Sequence, residues 1–172
     1  MSERLRRLIR DVPDFPSPGI LFRDITPLLA SPDGFEDAVA AMAAPFRAER
    51  PQKVLGIEAR GFMFGAALAR DFGVGFVPAR KPGKLPRETF RVSYGLEYGK
   101  DSLEVHADAI SPGERVLIAD DVLATGGTAE AAAQLVDRLR GQVLGLTFLI
   151  ELSQLAGRAR LADRKLHSVL LL

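Results

Sequence analysis

Two adjacent acids, Asp120 and Asp121, stand directly before the run Val122-Leu123-Ala124-Thr125-Gly126-Gly127-Thr128. Ala124, Gly126 and Gly127 leave backbone N–H groups uncovered, and the hydroxyls of Thr125 and Thr128 add donors. At the start of a helix, where orphan N–H groups and the dipole create positive potential, such a turn is a cradle for a phosphate. Ionised carboxylates only accept hydrogen bonds, so Asp120 and Asp121 suit a donor such as a ribose diol. The two halves of the string therefore answer opposite halves of one sugar phosphate. A lone Gly-Gly-Thr would read equally well as a βα turn whose acids complement the helix dipole. The string is not a Walker loop, which needs a lysine after its glycine, and G-x-G-x-x-G is absent.

The apolar residues Val116 to Ala119 make a strand of residues 115–120, delivering the acids to its carboxyl end. A helix over 128–139, ended by Gly141, and a strand over 143–149 complete a βαβ unit. Lys53–Ile57, residues 61–71 and Gly75–Ala79 repeat that pattern, so a central parallel sheet with helices on both faces is expected, an α/β fold. Open sheets of this kind bind ligands outside the carboxyl ends of their strands. Arg60, just beyond Ile57, can then bring its guanidinium fork to the crevice that holds the cradle. Residues 80–106 break the rhythm with Arg80, Lys81 and Lys84 before strand-like alternation resumes, which predicts a mobile loop on a hairpin; a solvated basic loop would have the same composition. Upstream, Leu5, Leu8, Ile9 and Val12 recur at helical spacing until Pro13. Pro13, Pro16, Pro18 and Gly19 then force an extended, turning segment that fixes residues 20–24. Ser31-Pro32-Asp33 opens a helix that buries Phe35, Val39, Met42 and Phe46. The tail, 157–172, reads as a short helix and a final strand.

The size, 172 residues, suits one domain. Its 23 basic and 22 acidic residues give a formal charge of +1, so no global field argues for nucleic acid or an anionic membrane as partner. No apolar run approaches the roughly 18 residues of a membrane helix, and the charged start carries no export signal, so a cytoplasmic location is expected. Absence of cysteine excludes disulfides, thiolate metal sites and thiol nucleophiles. The two histidines, His106 and His167, lie in no catalytic or metal-binding motif, and H-E-x-x-H, G-x-S-x-G and EF-hand spacings are missing.

At residues 120–128 the chain resembles the type I phosphoribosyltransferases, whose signature is two acids followed by a Thr-Gly-Gly-Thr turn. Further strings narrow the resemblance to members that use adenine: Phe15-Pro16-Ser17-Pro18-Gly19-Ile20-Leu21-Phe22-Arg23-Asp24-Ile25, Gly56-Ile57-Glu58-Ala59-Arg60-Gly61-Phe62, and Arg80-Lys81-Pro82-Gly83-Lys84-Leu85-Pro86 with Leu96-Glu97-Tyr98-Gly99-Lys100. They occur in the family order, from about Asp14 to about Arg160. The resemblance implies a small N-terminal hood (about 1–30), a flexible lid hairpin (about 80–106) and transfer of phosphoribosyl from phosphoribosyl pyrophosphate to adenine, giving AMP and pyrophosphate. It implies phosphate binding by Ala124, Thr125, Gly126, Gly127 and Thr128. Pyrophosphate would meet Arg60, Arg80 and Lys84, near a non-proline cis peptide at Ala59 and Arg60. Adenine would lie between Phe22 and Val122, its polar edge read by the backbone of Leu21 and Arg23, with Glu97 over N7 as general base. Asp120 and Asp121 would hold the ribose and, through water, a Mg²⁺ carried mainly by substrate. A homodimer is implied too, with Phe62-Met63-Phe64 supplying part of the contact. Two rivals stay open: transfer to another base, and a catalytically silent regulator that senses phosphoribosyl pyrophosphate and binds nucleic acid. The latter would call for an added helix-turn-helix or a strongly basic face.

Overall fold

The computed structural model describes residues 2–172 except Glu97 and Tyr98, with the backbone alone at 96, 99 and 100. It divides into two compact units, Met1–Ala41 and Met42–Leu172. The expected hood falls within the first.

The first unit opens with helix α1 (Ser2–Arg7) and the antiparallel strands β1 (Arg10–Pro13) and β2 (Leu21–Asp24), in which Val12 pairs Phe22. The predicted first helix therefore ends earlier than its periodicity suggested: Val12 and Pro13 are strand. Cross-strand pairing has overridden four apolar residues at helical spacing, and an ion pair of 2.5 Å between Arg23 and Asp11, directly opposite one another, ties the strands together. Between them Asp14, at φ 57°, accepts the Gly19 N–H at 2.8 Å, and the Phe15–Pro16 bond is cis. Phe15 meets Phe22 edge to face, with ring centroids 5.1 Å apart. After helix α2 (Thr26–Leu29), α3 (Pro32–Ala43) starts as predicted, Ser31 Oγ accepting the Gly34 N–H at 3.1 Å as an N-cap.

In the second unit a 3₁₀ turn, Ala44–Glu49, replaces helix where Pro45 occurs. Of the four residues predicted to be buried around α3, Val39, Met42 and Phe46 are, while Phe35 is half-buried. Then come β3 (Lys53–Ile57), α4 (Gly61–Phe72), β4 (Gly75–Ala79), the hairpin strands β5 (Thr89–Leu96) and β6 (Gly99–His106), β7 (Arg115–Leu123), α5 (Gly127–Arg138), β8 (Gln142–Glu151) and β9 (Leu166–Leu171). The central sheet is parallel, in the order β4-β3-β7-β8-β9. Its crossovers run in opposite directions: β3 steps to β4 on one side and β7 to β8 on the other. Right-handed crossovers then put α4 and α5 on opposite faces, and the strand order reverses between β3 and β7. That reversal opens a crevice outside the carboxyl ends of those two strands.

Leu55, Ile57, Ile118, Leu146 and Phe148 of the sheet pack with Leu135 and Val136 of α5. Val92, Leu103 and Val105 join the same cluster, so the base of the hairpin is welded to the core. Burying each large side chain of this kind contributes about 1.5–3 kcal/mol. Several boundaries differ from expectation. The strand carrying the acids continues to Leu123 because Val122 and Leu123 pair with Ile150 and Glu151 of the longer β8. At the end of α5 the left-handed residue is Arg140 (φ 60°); Gly141 instead fits where a Cβ would meet Ile110 at 2.8 Å. The tail forms a 3₁₀ turn, Gly157–Leu161, and the edge strand β9.

Candidate active site

Asp120 and Asp121 lie near the carboxyl end of β7, beside the point where strand order reverses. The chain leaves β7 through Ala124 and Thr125, turns at Gly126 (φ 83°) and enters α5 at Gly127. No side chain caps this helix, so its first-turn N–H groups remain available to an anion. A cavity of about 70 Å³ lies against the turn, lined by Asp120, Val122, Ala124, Thr125, Gly126 and Thr128 among others. The residues predicted to form the cradle thus gather around one small cavity.

α4 brings the second component. Its first residue, Gly61, packs so closely on β7 that a Cβ would stand 2.6 Å from Asp120 Oδ1 and 3.0 Å from Ala119 O. No acid occupies the first turn of α4 to offset its dipole. Arg60 precedes it, Nε lying 2.8 Å from Asp121 Oδ2, and the Glu58–Ala59 peptide bond is cis.

Burial, followed by repulsion from Asp121, pushes the Asp120 carboxyl well above the usual carboxylate range, while its Oδ1 accepts the Asp121 N–H at 2.8 Å. Burial raises Asp121 as well, opposed by the Arg60 charge. Its Oδ2 is buried without an aligned hydrogen bond. Two desolvated carboxylates with spare acceptor capacity call for donors or a cation from a ligand.

Arg80 and Lys84 meet on a residue that sequence reasoning passed over. Glu58, its side chain 9% exposed, accepts Arg80 Nε at 3.2 Å and the Lys81 N–H at 2.9 Å, and pairs with Lys84. Burial works to raise its pKa, but the Lys84 ammonium, the Lys81 N–H and the Arg80 guanidinium together hold it below the usual range. A buried acid, Glu104 of β6, fixes residues 80–84 from the other side. Its backbone exchanges both hydrogen bonds with Arg80, at 2.9 and 2.7 Å, and its carboxylate accepts the Gly83 N–H at 3.1 Å and Arg91 Nε at 2.7 Å. Lys81 pairs with Asp101, which also accepts the Tyr94 hydroxyl at 3.2 Å. The proximity of Glu58 to Arg60 at a strand end was the available signal; Glu104 gave none, its partners being far away in the chain.

Leu21, Phe22 and Arg23 lie on β2 of the first unit, Leu21 exposed and the other two half-buried. Glu97 lies outside the described residues. Of the segment assigned to a dimer contact, Phe64 belongs to the core with no exposure, correcting that expectation; Phe62 is half-buried and Met63 exposed. Phe62 packs edge-on to Phe76 and lies under the Arg80 guanidinium, 5.9 Å from its ring centre. Among the described residues, no group of three or more His, Asp or Glu side chains is gathered to hold a metal ion, and no helix is long and apolar enough to cross a membrane.

Acids, uncapped turn and paired arginine meet at a parallel-sheet switch point, and residues 28–169 match the family model described as the phosphoribosyl transferase domain. The chain belongs to the phosphoribosyltransferase family. Within it, the similarity is to adenine phosphoribosyltransferases. That of Carboxydothermus hydrogenoformans is 56% identical over 165 residues, covering 96% of this chain and 97% of its relative. The crystal structure of the Rhodothermus marinus adenine phosphoribosyltransferase superposes with a TM-score of 0.96 at 55% identity, covering 99% and 98% of the two chains. The Saccharomyces cerevisiae enzyme, solved with an imino-altritol bisphosphate and adenine, gives 0.93 at 40% identity, covering 98% and 97%.

Proposed function

We propose that this enzyme transfers the phosphoribosyl group of phosphoribosyl pyrophosphate to adenine, forming AMP and pyrophosphate in purine salvage. The observation that carries the reading is the run of Asp120 and Asp121 into the uncapped turn 124–128, with Arg60 reaching Asp121 from the adjacent strand exit. The adenine bound to the yeast relative and the names of the bacterial relatives support the choice of base.

The C1′–oxygen bond to pyrophosphate breaks as the C1′–nitrogen bond to the base forms, and the base loses one imidazole proton. Loosening of the first bond ahead of the second leaves positive, oxocarbenium-like charge on the sugar, as in glycoside cleavage. The turn 124–128 holds the sugar's phosphate. Asp120 and Asp121 accept the ribose hydroxyls and set negative potential beside the electron-poor ring. Arg60, Arg80 and Lys84 receive the departing pyrophosphate, the last two exchanging Glu58 for it. Glu97 takes the base proton. The adjacent carboxylates of half-buried Asp120 and buried Asp121 fit Mg²⁺ as outer partners through water, too few to ligate it alone, so the ion would come with the substrate. Bound Mg²⁺ supplies neutralisation of the leaving group's charge.

We assign the adenine N1 and amino group to a backbone donor and acceptor of Leu21 and Arg23. Hypoxanthine reverses that pattern and should be rejected by as much as about 10⁴–10⁵-fold. Phosphorylated substrate and product do not leak across membranes, which fits a cytoplasmic reaction, and we take the working form to be a homodimer. Pyrophosphate release measured with adenine, hypoxanthine and guanine in turn tests the reading. Comparable use of hypoxanthine would refute the choice of base, and no release with any base would refute the activity.

A further inference from the structure

The back of the turn 124–128 is built by a segment distant from it in sequence. A Cβ on Gly157 would stand 2.1 Å from Ala124 O and 3.0 Å from Gly126 N, and one on Gly126 would stand 2.6 Å from Gly157 O. The two backbones therefore touch with no space for a side chain on either. Gly157 is presented by Ala156 in the left-handed region (φ 51°), a conformation that favours glycine and that a non-glycine residue keeps only where its surroundings impose it.

The residue after Gly157 supplies that constraint. Arg158 Nε donates to Glu151 Oε1 at 3.0 Å and Nη2 to Oε2 at 2.5 Å, a two-pronged fork, and Nη1 reaches Leu166 O at 3.5 Å. Glu151 ends β8, is only 6% exposed, and pairs in register with Leu123, the residue from which the turn departs. One ion pair thus connects the strand beside the cradle's root to the backbone behind its tip. We infer that Arg158 and Glu151 are positioning residues for phosphate binding: their fork holds Gly157 against Ala124 and Gly126 and so sets the spacing of the cradle's N–H donors. A planar guanidinium fixes direction as well as distance, which a lysine ammonium cannot do. Arg160, 3.6 Å from Glu130 on the first turn of α5, adds a looser second tie.

This inference rests on the reading of residues 124–128 as the cradle for the substrate's 5′-phosphate. It separates two ligands: ribose 5-phosphate carries that phosphate, whereas inorganic pyrophosphate is assigned to Arg60, Arg80 and Lys84. Calorimetric titration of both against the wild type, Arg158→Met, Arg158→Lys and Glu151→Gln is the test. Ribose 5-phosphate should bind between about tenfold and 100-fold more weakly to Arg158→Met and Glu151→Gln, the scale expected of a small displacement in a preorganised site. Arg158→Lys should fall between these variants and the wild type, and pyrophosphate affinity should not move. In turnover, KM for phosphoribosyl pyrophosphate should rise more than kcat falls. Unchanged ribose 5-phosphate affinity, or an equal weakening of both ligands, overturns the positioning role. If Arg158→Met does not fold, Arg158→Lys decides alone by the same ratio. A wild type blind to ribose 5-phosphate would instead overturn the cradle assignment, and this inference with it.

Discussion

Asp120 is costly to the free protein. Its carboxyl is raised by burial and by Asp121, so the folded chain binds a proton there more readily than the unfolded chain does. Stability is then lost as pH rises from the ordinary carboxylate range through the raised value, and the loss is largest once the pair is ionised. Asp120→Asn keeps an oxygen for the Asp121 N–H while removing the charge. It should therefore raise Tm at neutral pH, by about 2–4 °C for each kcal/mol recovered, with the gain vanishing at pH values below the ordinary range. The same change should lower turnover by roughly 10²-fold or more, since the carboxylate is assigned to the developing charge. Thermal melts across pH, paired with pyrophosphate release, check both signs. A variant less stable at neutral pH, or one with normal turnover, would contradict this account. An opposite case is Glu58, whose pKa is lowered: its stabilisation is present above the unfolded value and lost as pH falls through the folded one. Glu58→Gln should destabilise by about 1–3 kcal/mol at neutral pH, the difference from wild type shrinking in acid, as denaturant titration at several pH values would show.

At the scale of elements, the strap from Arg80 to Lys84 is held between two acids, half-buried Glu58 on the strand exit and buried Glu104 on β6. Removing Glu104's charge by Glu104→Gln should loosen one side only, leaving the sheet intact. Trypsin, which cuts after lysine and arginine unless proline follows, should then cleave at Arg80 or Lys84 faster than in the wild type, while far-ultraviolet circular dichroism stays unchanged. Equal cleavage rates would mean that the strap is fixed by something else. This docking was illegible in the sequence because Glu58 lies 22 to 26 residues from its partners and Glu104 lies 21 from Gly83. The crossover and hairpin bring them together. The strand, turn and helix start from Asp120 to Thr128 were legible because their parts are consecutive and local propensities agree there. Where local and long-range preferences conflicted, at Leu5 to Val12, periodicity favoured a helix and the pairing of β1 with β2 prevailed.

For the whole molecule, opposed crossovers from β3 and β7 open the crevice at the carboxyl ends of those strands, and the first turn of α4 borders it. Phe64 and Leu68 turn α4 toward the core, whereas Met63, 38% exposed, stands on the outer side in the same first turns as Gly61. A single exposed methionine is ordinary on a monomer's surface. It becomes informative when a homodimer is expected from family resemblance and the residue adjoins the Arg60 strand exit. A dimer using this face would bury Met63 beside the pyrophosphate side of each site, so that association and activity should be linked. Multi-angle light scattering at assay concentrations should return twice the 18.6 kDa chain mass. Met63→Glu, which adds a charge that pairing would have to desolvate, should shift the mass toward one chain and lower kcat/KM at dilute enzyme, with recovery as concentration rises. A fully active wild-type monomer would refute the dimer. A Met63→Glu variant that remains dimeric would move the contact to another face of the molecule.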